Sequence, residues 1–223
     1  MGFDFDPGSR SKLTPRDLPR FEGDTLFHRI ARQVCVADCL PRKELYEAWE
    51  VARRTRRRFR GGRVIDLACG HGLLAQLLLV LDDSSEVALA VDTRLPSSAA
   101  PLNAALRNEW PRLAGRIEFV EGALASVQAR AGDLLVSCHA CGSLTDDVID
   151  HAIGAGARLV VLPCCHEKLE NDQGGLGGWL DPALAIDVTR AARLRGHGYT
   201  VRTQTIPAAI TPKNRLLLAE LRA

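Results

Sequence analysis

The sequence contains no hydrophobic run that approaches the ~20 consecutive apolar residues of a membrane-spanning helix. The segment from Met1 to Asp6 shows no basic stretch followed by an apolar one, so we expect no secretory signal there. Aromatic residues make up only 5% of the chain, and the formal net charge is only +2. A net charge this close to zero does not indicate whether the protein binds a polyanion such as nucleic acid. No membrane partner is expected.

Two common nucleotide-binding motifs are also missing. A phosphate-binding P-loop needs a glycine-rich turn that ends in Gly-Lys-Ser or Gly-Lys-Thr, and this chain has none. The dinucleotide pattern G-x-G-x-x-G is absent from the first predicted strand–helix junction, which reads Asp66-x-Ala68-x-Gly70-x-Gly72 instead. The sequence therefore does not indicate a P-loop nucleotidase or a typical dinucleotide-binding protein.

Cysteine is present in an odd number, seven, which cannot be paired completely into disulfides. Together with the missing export signal, this number indicates reduced thiols rather than a disulfide framework. We therefore expect a cytoplasmic protein.

A strand, a glycine-rich turn and a helix follow one another between Arg63 and Leu81. Gly70 and Gly72 allow the backbone to turn sharply and leave room for a ligand beside it. About twenty residues later, a second apolar strand ends in Asp92, whose carboxylate can accept hydrogen bonds from both ribose hydroxyls of a nucleoside cofactor. The two features together predict a nucleotide-type cofactor at the carboxyl edge of a parallel sheet.

Strand and helix patterns alternate along the rest of the chain, which predicts an α/β fold with a mostly parallel sheet and a terminal hairpin. The predicted strands are 64–68, 87–92, 116–121, 133–138, 158–163, 199–206 and 214–221. The predicted helices are 26–38, 43–59, 72–82, 98–109, 145–154 and 182–196. We divide the chain into a loose N-terminal arm (1–25), N-terminal helices (26–60) and a main domain (61–223).

The segment Asp66-x-Ala68-x-Gly70-x-Gly72 followed by Asp92 resembles motif I of the class I S-adenosylmethionine-dependent methyltransferases. A second segment, Cys141-Gly142-x-x-Thr145-Asp146, is similar to one group of them: the tRNA acceptor-stem 2′-O-methyltransferases, the glutathione S-transferase C-terminal-domain-containing protein and related bacterial proteins. The ending 210–215 looks like the bacterial members. The resemblance implies a Rossmann-like, seven-stranded sheet with a terminal antiparallel strand.

The resemblance also implies S-adenosylmethionine as the cofactor. The residues that it would contact are Asp66, Ala68, Cys69, Gly70, His71, Gly72, Asp92, Glu121, Gly122 and Cys138. Ala123 stands where many of these enzymes place an acid that bonds the adenine amino group. Glu121, a backbone group or apolar contacts are the alternatives for the adenine.

Cysteines and histidines follow the fourth and fifth predicted strands, which are neighbours in this fold. The residues are Cys138, His139, Cys141, Cys164, Cys165 and His166. Three interpretations are open: small buried packing residues, a metal site, or contact with the methyl acceptor. We assign no metal ligands at this stage. The candidate acceptor-binding residues are Cys141, Cys164, Cys165, Lys213, Asn214 and Arg215.

Candidate catalytic residues are His139, His166 and Asp146, since an imidazole or carboxylate near the cofactor edge can accept a proton from the acceptor. Thr145 is expected to cap the following helix. The basic stretch from Arg53 to Arg60 has two interpretations. In one, its arginines bind the phosphate backbone of a nucleic acid; in the other, it is the solvated end of a helix. We prefer the second.

The sequence leaves the acceptor open. A small molecule or protein side chain is slightly favoured by the compact chain and near-neutral charge, and RNA is the alternative that the resemblance favours. A module that keeps the fold but only binds a cofactor or a metal is a third possibility.

Overall fold

The computed structural model describes residues 5–222 and contains a seven-stranded sheet. Its strand order is β3-β2-β1-β4-β5-β7-β6, and all neighbouring pairs are parallel except those made by β7, which is antiparallel to both β5 and β6. The strands are β1 Val64–Leu67, β2 Ala88–Asp92, β3 Ile117–Glu121, β4 Leu134–Ser137, β5 Arg158–Val161, β6 Tyr199–Thr205 and β7 Arg215–Leu221. The predicted α/β class and terminal antiparallel strand are confirmed.

Six α-helices surround the sheet in the described part of the chain. They are α1 Leu26–Ala37, α2 Arg42–Arg58, α3 Leu73–Leu81, α4 Ala99–Glu109, α5 Leu144–Ala155 and α6 Pro182–Gly196. Their observed ends differ from the predicted ones by one residue each or not at all. Three short 3-10 helices, 15–21, 111–113 and 124–126, were not predicted. None of the described helices combines the length and apolar character that crossing a bilayer requires.

Successive side chains along each strand point to opposite faces of the sheet, and this divides the core into two layers. Val64 of β1 packs into the layer formed with α1, α2, α3 and α4. Ile65 and Leu67, on the opposite face of the same strand, pack into the layer formed with α5 and α6. Both faces of β1 are buried, so the strand is apolar at every position except Asp66, which lies at its carboxyl end.

The N-terminal arm is not loose, and that expectation is wrong for the described residues 5–25. Leu13 and Phe21 are almost fully buried, and the Leu13 amide donates to the Leu40 carbonyl (2.8 Å). The Arg42 guanidinium lies 3.5 Å from the centre of the Phe5 ring. These isolated apolar residues hold the arm on the domain although it has no periodic pattern. Residues 1–4 of the predicted arm lie outside the described residues.

The basic stretch at the end of α2 is largely used inside the molecule. Arg56 is buried, and it contacts the Leu78 and Phe59 carbonyls and the Asp82 carboxylate. The interpretation of the stretch as a solvated helix end is therefore wrong for Arg56. Further ion pairs of the stretch join Arg53 and Arg54 to Glu50, Arg58 to Glu220 and Arg60 to Asp82.

Candidate active site

The turn between β1 and α3 is built from residues in left-handed conformation. Ala68, Gly70 and Gly72 have φ angles of 55°, 52° and 71°. A Cβ atom on Gly72 would lie 2.7 Å from Cε1 of Phe119, so the turn requires glycine there. Gly70 has open space beside its Cα atom. The turn thus exposes backbone that a ligand can approach closely.

Asp92 ties this turn to the neighbouring strand. Its Oδ2 atom accepts a hydrogen bond from the Gly70 amide (2.9 Å), and its backbone carbonyl accepts from the Gly122 amide (2.9 Å). Asp92 pairs in register with Glu121 at the ends of β2 and β3. The Glu121 carboxylate accepts from the Leu95 amide (3.1 Å). The predicted cofactor residues of three strand ends therefore lie at one edge of the sheet.

Asp66 is a buried carboxyl group at the end of β1. Its Oδ2 atom accepts from the Ala75 amide (3.1 Å). The pKa of Asp66 is raised to about 8: burial is the main cause, the Ala75 hydrogen bond opposes it, and the nearby Asp92 charge adds a smaller increase. Asp66 is therefore mostly protonated in the folded protein at neutral pH.

The Asp66→Asn variant should change the pH dependence of stability. In the wild type the folded state keeps a proton that the unfolded chain releases above about pH 4, so the free energy of unfolding falls as pH rises from about 4 to about 8. Asparagine removes this loss. Between pH 5 and pH 8, the stability of the variant relative to wild type should rise by roughly 2 kcal/mol or more. Urea denaturation at both pH values measures it, and a pH-independent difference would contradict the assignment.

A narrow cavity of about 30 Å³ lies beside the turn. Its lining includes the predicted residues Asp66, Cys69, Gly70, His71 and Cys138, together with Leu40, Glu44, Ala48, Leu73, Leu74 and His139. His71 Nδ1 lies 2.7 Å from the Ser98 hydroxyl. Burial lowers the pKa of His71, and the His139 imidazole lowers it further, against the Glu44 charge. His71 is therefore a neutral part of the wall at neutral pH.

A wider cavity of about 430 Å³ adjoins the narrow one, because Glu44 and His139 line both. Its other lining residues are Gly8, Arg10, Pro41, Lys43, Glu47, Cys164, Cys165, Ile210, Thr211, Pro212 and Lys213. The sequence analysis missed the residues of the arm and of α2. Glu44 and Glu47 are three apart on one helix, and Glu47 is buried against Lys43 (Nζ to Oε1, 3.0 Å). The available signal for these residues was the helical spacing of two acidic residues in an otherwise basic helix.

The ends of β4 and β5 bring three of the predicted thiols together. Sγ of Cys141 lies 3.1 Å from Sγ of Cys164, which lies 3.8 Å from Sγ of Cys165. Nζ of Lys213 lies 3.7 Å from Sγ of Cys165. Burial raises the pKa of Cys164 and of Cys141. Burial also raises that of Cys165, but the two neighbouring thiols and the Lys213 ammonium outweigh it and hold the Cys165 pKa below its usual range.

Four predicted site residues lie elsewhere. His166 Nε2 contacts Asp187 of α6 (2.8 Å), and the same carboxylate accepts from Arg215 (2.6 Å). Asp146 accepts two hydrogen bonds from Arg190 (3.0 and 2.7 Å). The Asn214 side chain donates to the Ile206 carbonyl (2.9 Å). None of the four lines the two adjoining cavities just described; each contacts a residue outside them.

Thr145 does not cap α5. Its hydroxyl donates to the Ala140 carbonyl (2.6 Å), and the helix begins after Ser143, whose side chain makes no capping hydrogen bond. The buried Thr145 thereby fixes the loop that carries His139 and Cys141.

Comparisons with known proteins agree with this geometry. A family model described as "Methyltransferase domain" matches residues 43–172. The mouse glutathione S-transferase C-terminal domain-containing protein is 24% identical over 197 residues, which cover 71% of this chain and 30% of the mouse protein. Its human counterpart is 29% identical over 114 residues, 50% of this chain and 17% of that protein. This chain thus spans less than a third of the length of these relatives.

Solved structures show the same fold. An O-methyltransferase family protein from Burkholderia thailandensis superposes with a TM-score of 0.50 at 20% identity, over 95% of this chain and 64% of that one. A precorrin-6y C5,15-methyltransferase from Geobacter metallireducens gives 0.50 at 14% identity, over 78% and 87%. At these identities the likeness concerns the fold alone.

Proposed function

The chain belongs to the methyltransferase-domain family whose model spans residues 43–172, and from this premise we propose that it transfers a methyl group from S-adenosylmethionine to a small-molecule or protein side-chain nucleophile. The observation that carries the proposal is the pair of adjoining cavities at the edge of the sheet. The turn held by Asp92 borders the narrow cavity, and Cys164 and Cys165 line the wide one.

The residues present fit the cofactor. Open space beside Gly70 leaves the turn accessible, and the Asp92 carboxylate stands where it can accept hydrogen bonds from ribose hydroxyls. Cys69, His71 and Cys138, which line the narrow cavity, would contact the end of the cofactor that carries the sulfonium. When bound, the cofactor supplies an activated methyl carbon that needs no further activation by the protein.

This chain's own residues would hold the acceptor and accept its proton. His139 lines both cavities, so its imidazole can face an acceptor that sits between them. Glu44 of α2 also lines both cavities. Confinement by α2 and the arm would orient the acceptor and keep water from the methyl group, which is the main contribution that a protein makes to this displacement.

The acceptor cavity supports a small acceptor or a single side chain. Its volume of about 430 Å³ lies in the range of small-molecule pockets, ~300–1,000 Å³. The arginines that an RNA backbone would need at the end of α2 are mostly engaged with Glu50, Asp82 and Glu220. The reducing cytoplasm is the location we propose, because free thiols lie in contact at this edge.

Titration calorimetry with S-adenosylmethionine and S-adenosylhomocysteine tests the cofactor assignment. Micromolar binding of both at one site per chain is the expected result. A labelled methyl group should then appear in a small acceptor rather than in RNA when both are offered. If neither ligand binds, the proposed methyltransferase activity is wrong. If only RNA is labelled, RNA is the acceptor instead of a small molecule.

Replacing His139 by glutamine should separate catalysis from cofactor binding. If the imidazole accepts the acceptor's proton, kcat should fall by about 100-fold, while the Kd for S-adenosylmethionine should stay within about threefold. His197, at the far end of α6, provides the control substitution His197→Gln, which should change neither. Equal losses of kcat and cofactor affinity in the His139 variant would show that His139 serves the cofactor site instead.

A further inference from the structure

Three cysteine sulfur atoms from two loops meet at the wide cavity. We call Cys141, Cys164 and Cys165 the thiol trio. Their Sγ atoms all lie within 4.8 Å of one another. Cys164 and Cys165 line the cavity wall, and Cys141 is exposed. Cysteines used as small packing residues are typically buried, so packing does not account for these three.

The fold holds the trio in place from both sides. Its members follow β4 and β5, which are adjacent in the sheet. The Gly142 amide donates to the Cys165 carbonyl (3.2 Å) and ties the two loops together. The buried Arg190 donates to the Gly142 carbonyl (3.0 Å). The three sulfur atoms are therefore positioned before any ligand arrives.

The spacing of the sulfur atoms fits a zinc ion. Zinc binds thiolates at ~2.3 Å in tetrahedral geometry, so two sulfur ligands of one ion lie ~3.8 Å apart. The Cys164 and Cys165 sulfurs have this separation, 3.8 Å. The Cys141 and Cys164 sulfurs, 3.1 Å apart, need to separate by ~0.7 Å. Cys141 lies on an exposed loop and can supply that movement.

The charge of the site and the number of protein ligands both favour a zinc ion with one free coordination position. Three thiolates and one Zn²⁺ carry a net charge of −1, and the Lys213 ammonium, 3.7 Å from the Cys165 sulfur, offsets it. Among residues 5–222, no histidine, further cysteine or acidic side chain lies close enough to join the trio as a fourth ligand. Zinc sites with three protein ligands keep the fourth position for water or substrate.

We propose that the thiol trio binds one Zn²⁺ ion and that the open fourth position of this ion takes the thiol of a small acceptor. The acceptor part of this proposal rests on the proposed function, whereas the metal part stands on the geometry of the trio. The substrate class would then be small thiols, and the product would be a methyl thioether.

The reaction balances without a further reagent. On binding the ion, the acceptor thiol loses its proton to His139 or to water and becomes a thiolate. A sulfur lone pair then forms the new bond to the methyl carbon, the bond from that carbon to the sulfonium breaks, and its electron pair stays on the leaving sulfur. The products are the thioether, which leaves the ion, and S-adenosylhomocysteine, and no oxidant or reductant is needed.

Zinc titration of the reduced, metal-free protein tests the site. One Zn²⁺ per chain should bind in competition with a chromophoric chelator, and Co²⁺ in its place should show thiolate charge-transfer absorption. Each single serine substitution of the trio should weaken Zn²⁺ binding by about 100-fold. Cys39→Ser, at a half-buried cysteine outside the trio, is the control and should keep wild-type affinity. Absent Zn²⁺ binding, or equal binding by all variants, would overturn the site.

Acceptors of matched size test the substrate class. Cysteine, cysteamine and 3-mercaptopropionate should each yield a labelled thioether with the zinc-loaded protein, and serine should not. Removal of zinc should abolish the transfer and leave the Kd for S-adenosylmethionine unchanged, which separates this proposal from the proposed function. If zinc binds but serine is methylated as well as cysteine, or metal-free protein methylates thiols equally, the fourth position does not hold the acceptor.

Discussion

Replacing Asp92 by alanine should weaken the binding of S-adenosylmethionine by about 100-fold or more. A hydrogen bond to a charged group contributes ~1.5–3 kcal/mol, and two ribose hydroxyls lose their acceptor together, so the total of ~3 kcal/mol corresponds to about 100-fold in Kd. The substitution also frees the Gly70 amide, which Asp92 accepts from at 2.9 Å, and loosens the turn on which the cofactor would lie. Calorimetry with S-adenosylmethionine measures the effect.

The control for Asp92 is Glu118→Ala. Glu118 is an exposed acidic residue in the middle of β3, so its removal changes the net charge by the same amount without touching the turn. Asp92→Asn refines the test, because asparagine can still accept from Gly70 but loses the charge. Full affinity in Asp92→Ala, measured on protein with an unchanged unfolding transition, would refute the placement of the cofactor ribose.

Replacing Arg56 by methionine should lower the free energy of unfolding by about 3–5 kcal/mol, the usual cost of breaking a buried ion pair. The guanidinium is 3% exposed and lies 3.2 Å from Asp82. It also donates to the Leu78 carbonyl (3.0 Å) and the Ser85 hydroxyl (2.8 Å). Methionine fills part of the volume but removes the buried ion-pair partner of the Asp82 carboxylate and the buried donor to the Leu78 carbonyl.

The next residue provides a matched control for Arg56. Arg57 is exposed on the same helix, so Arg57→Met removes the same charge and should change stability by less than about 0.5 kcal/mol. Urea denaturation of both variants compares them directly. The double variant with Asp82→Asn should recover part of the loss, because a neutral amide then replaces the buried carboxylate that has lost Arg56. Equal stability of the two single variants would show that Arg56 is not the internal support that the structure describes.

Much of the fold was predictable because its signals are local. The strand of residues 64–67 and the helix of residues 73–81 are read from uninterrupted apolar runs, and Asp92 is placed by its distance from the glycine turn. The family resemblance implied that β4 and β5 are adjacent, and with it that the cysteines and histidines after them converge; of these, Cys141, Cys164 and Cys165 do. The arm was wrongly expected to be loose, because two buried apolar residues in an irregular segment give no periodic signal.

Side-chain direction at the site was not predictable. His139 faces the cavities, whereas His166, which the sequence treats as its equivalent, turns to Asp187 on α6 (2.8 Å). Glu44 reaches the cavities from α2, far from any recognised motif. Each outcome depends on which residue of a distant element offers a partner, and the spacing within one segment contains no information about that.

The sequence by itself determined the order of strands and helices, the glycine turn with its acidic partner and the family, because backbone periodicity and motif spacing act over a few residues. Only the tertiary structure decided that α2 and the arm line the wide cavity and that most arginines of α2 are paired within the molecule. It also decided that three of the thiols converge, while His166 pairs with Asp187 and Asp146 with Arg190. Those outcomes depend on burial and on charge pairing between distant segments, such as Arg56 with Asp82, which are 26 residues apart, and Arg58 with Glu220, which are 162 residues apart. Such pairings form only when the layers pack.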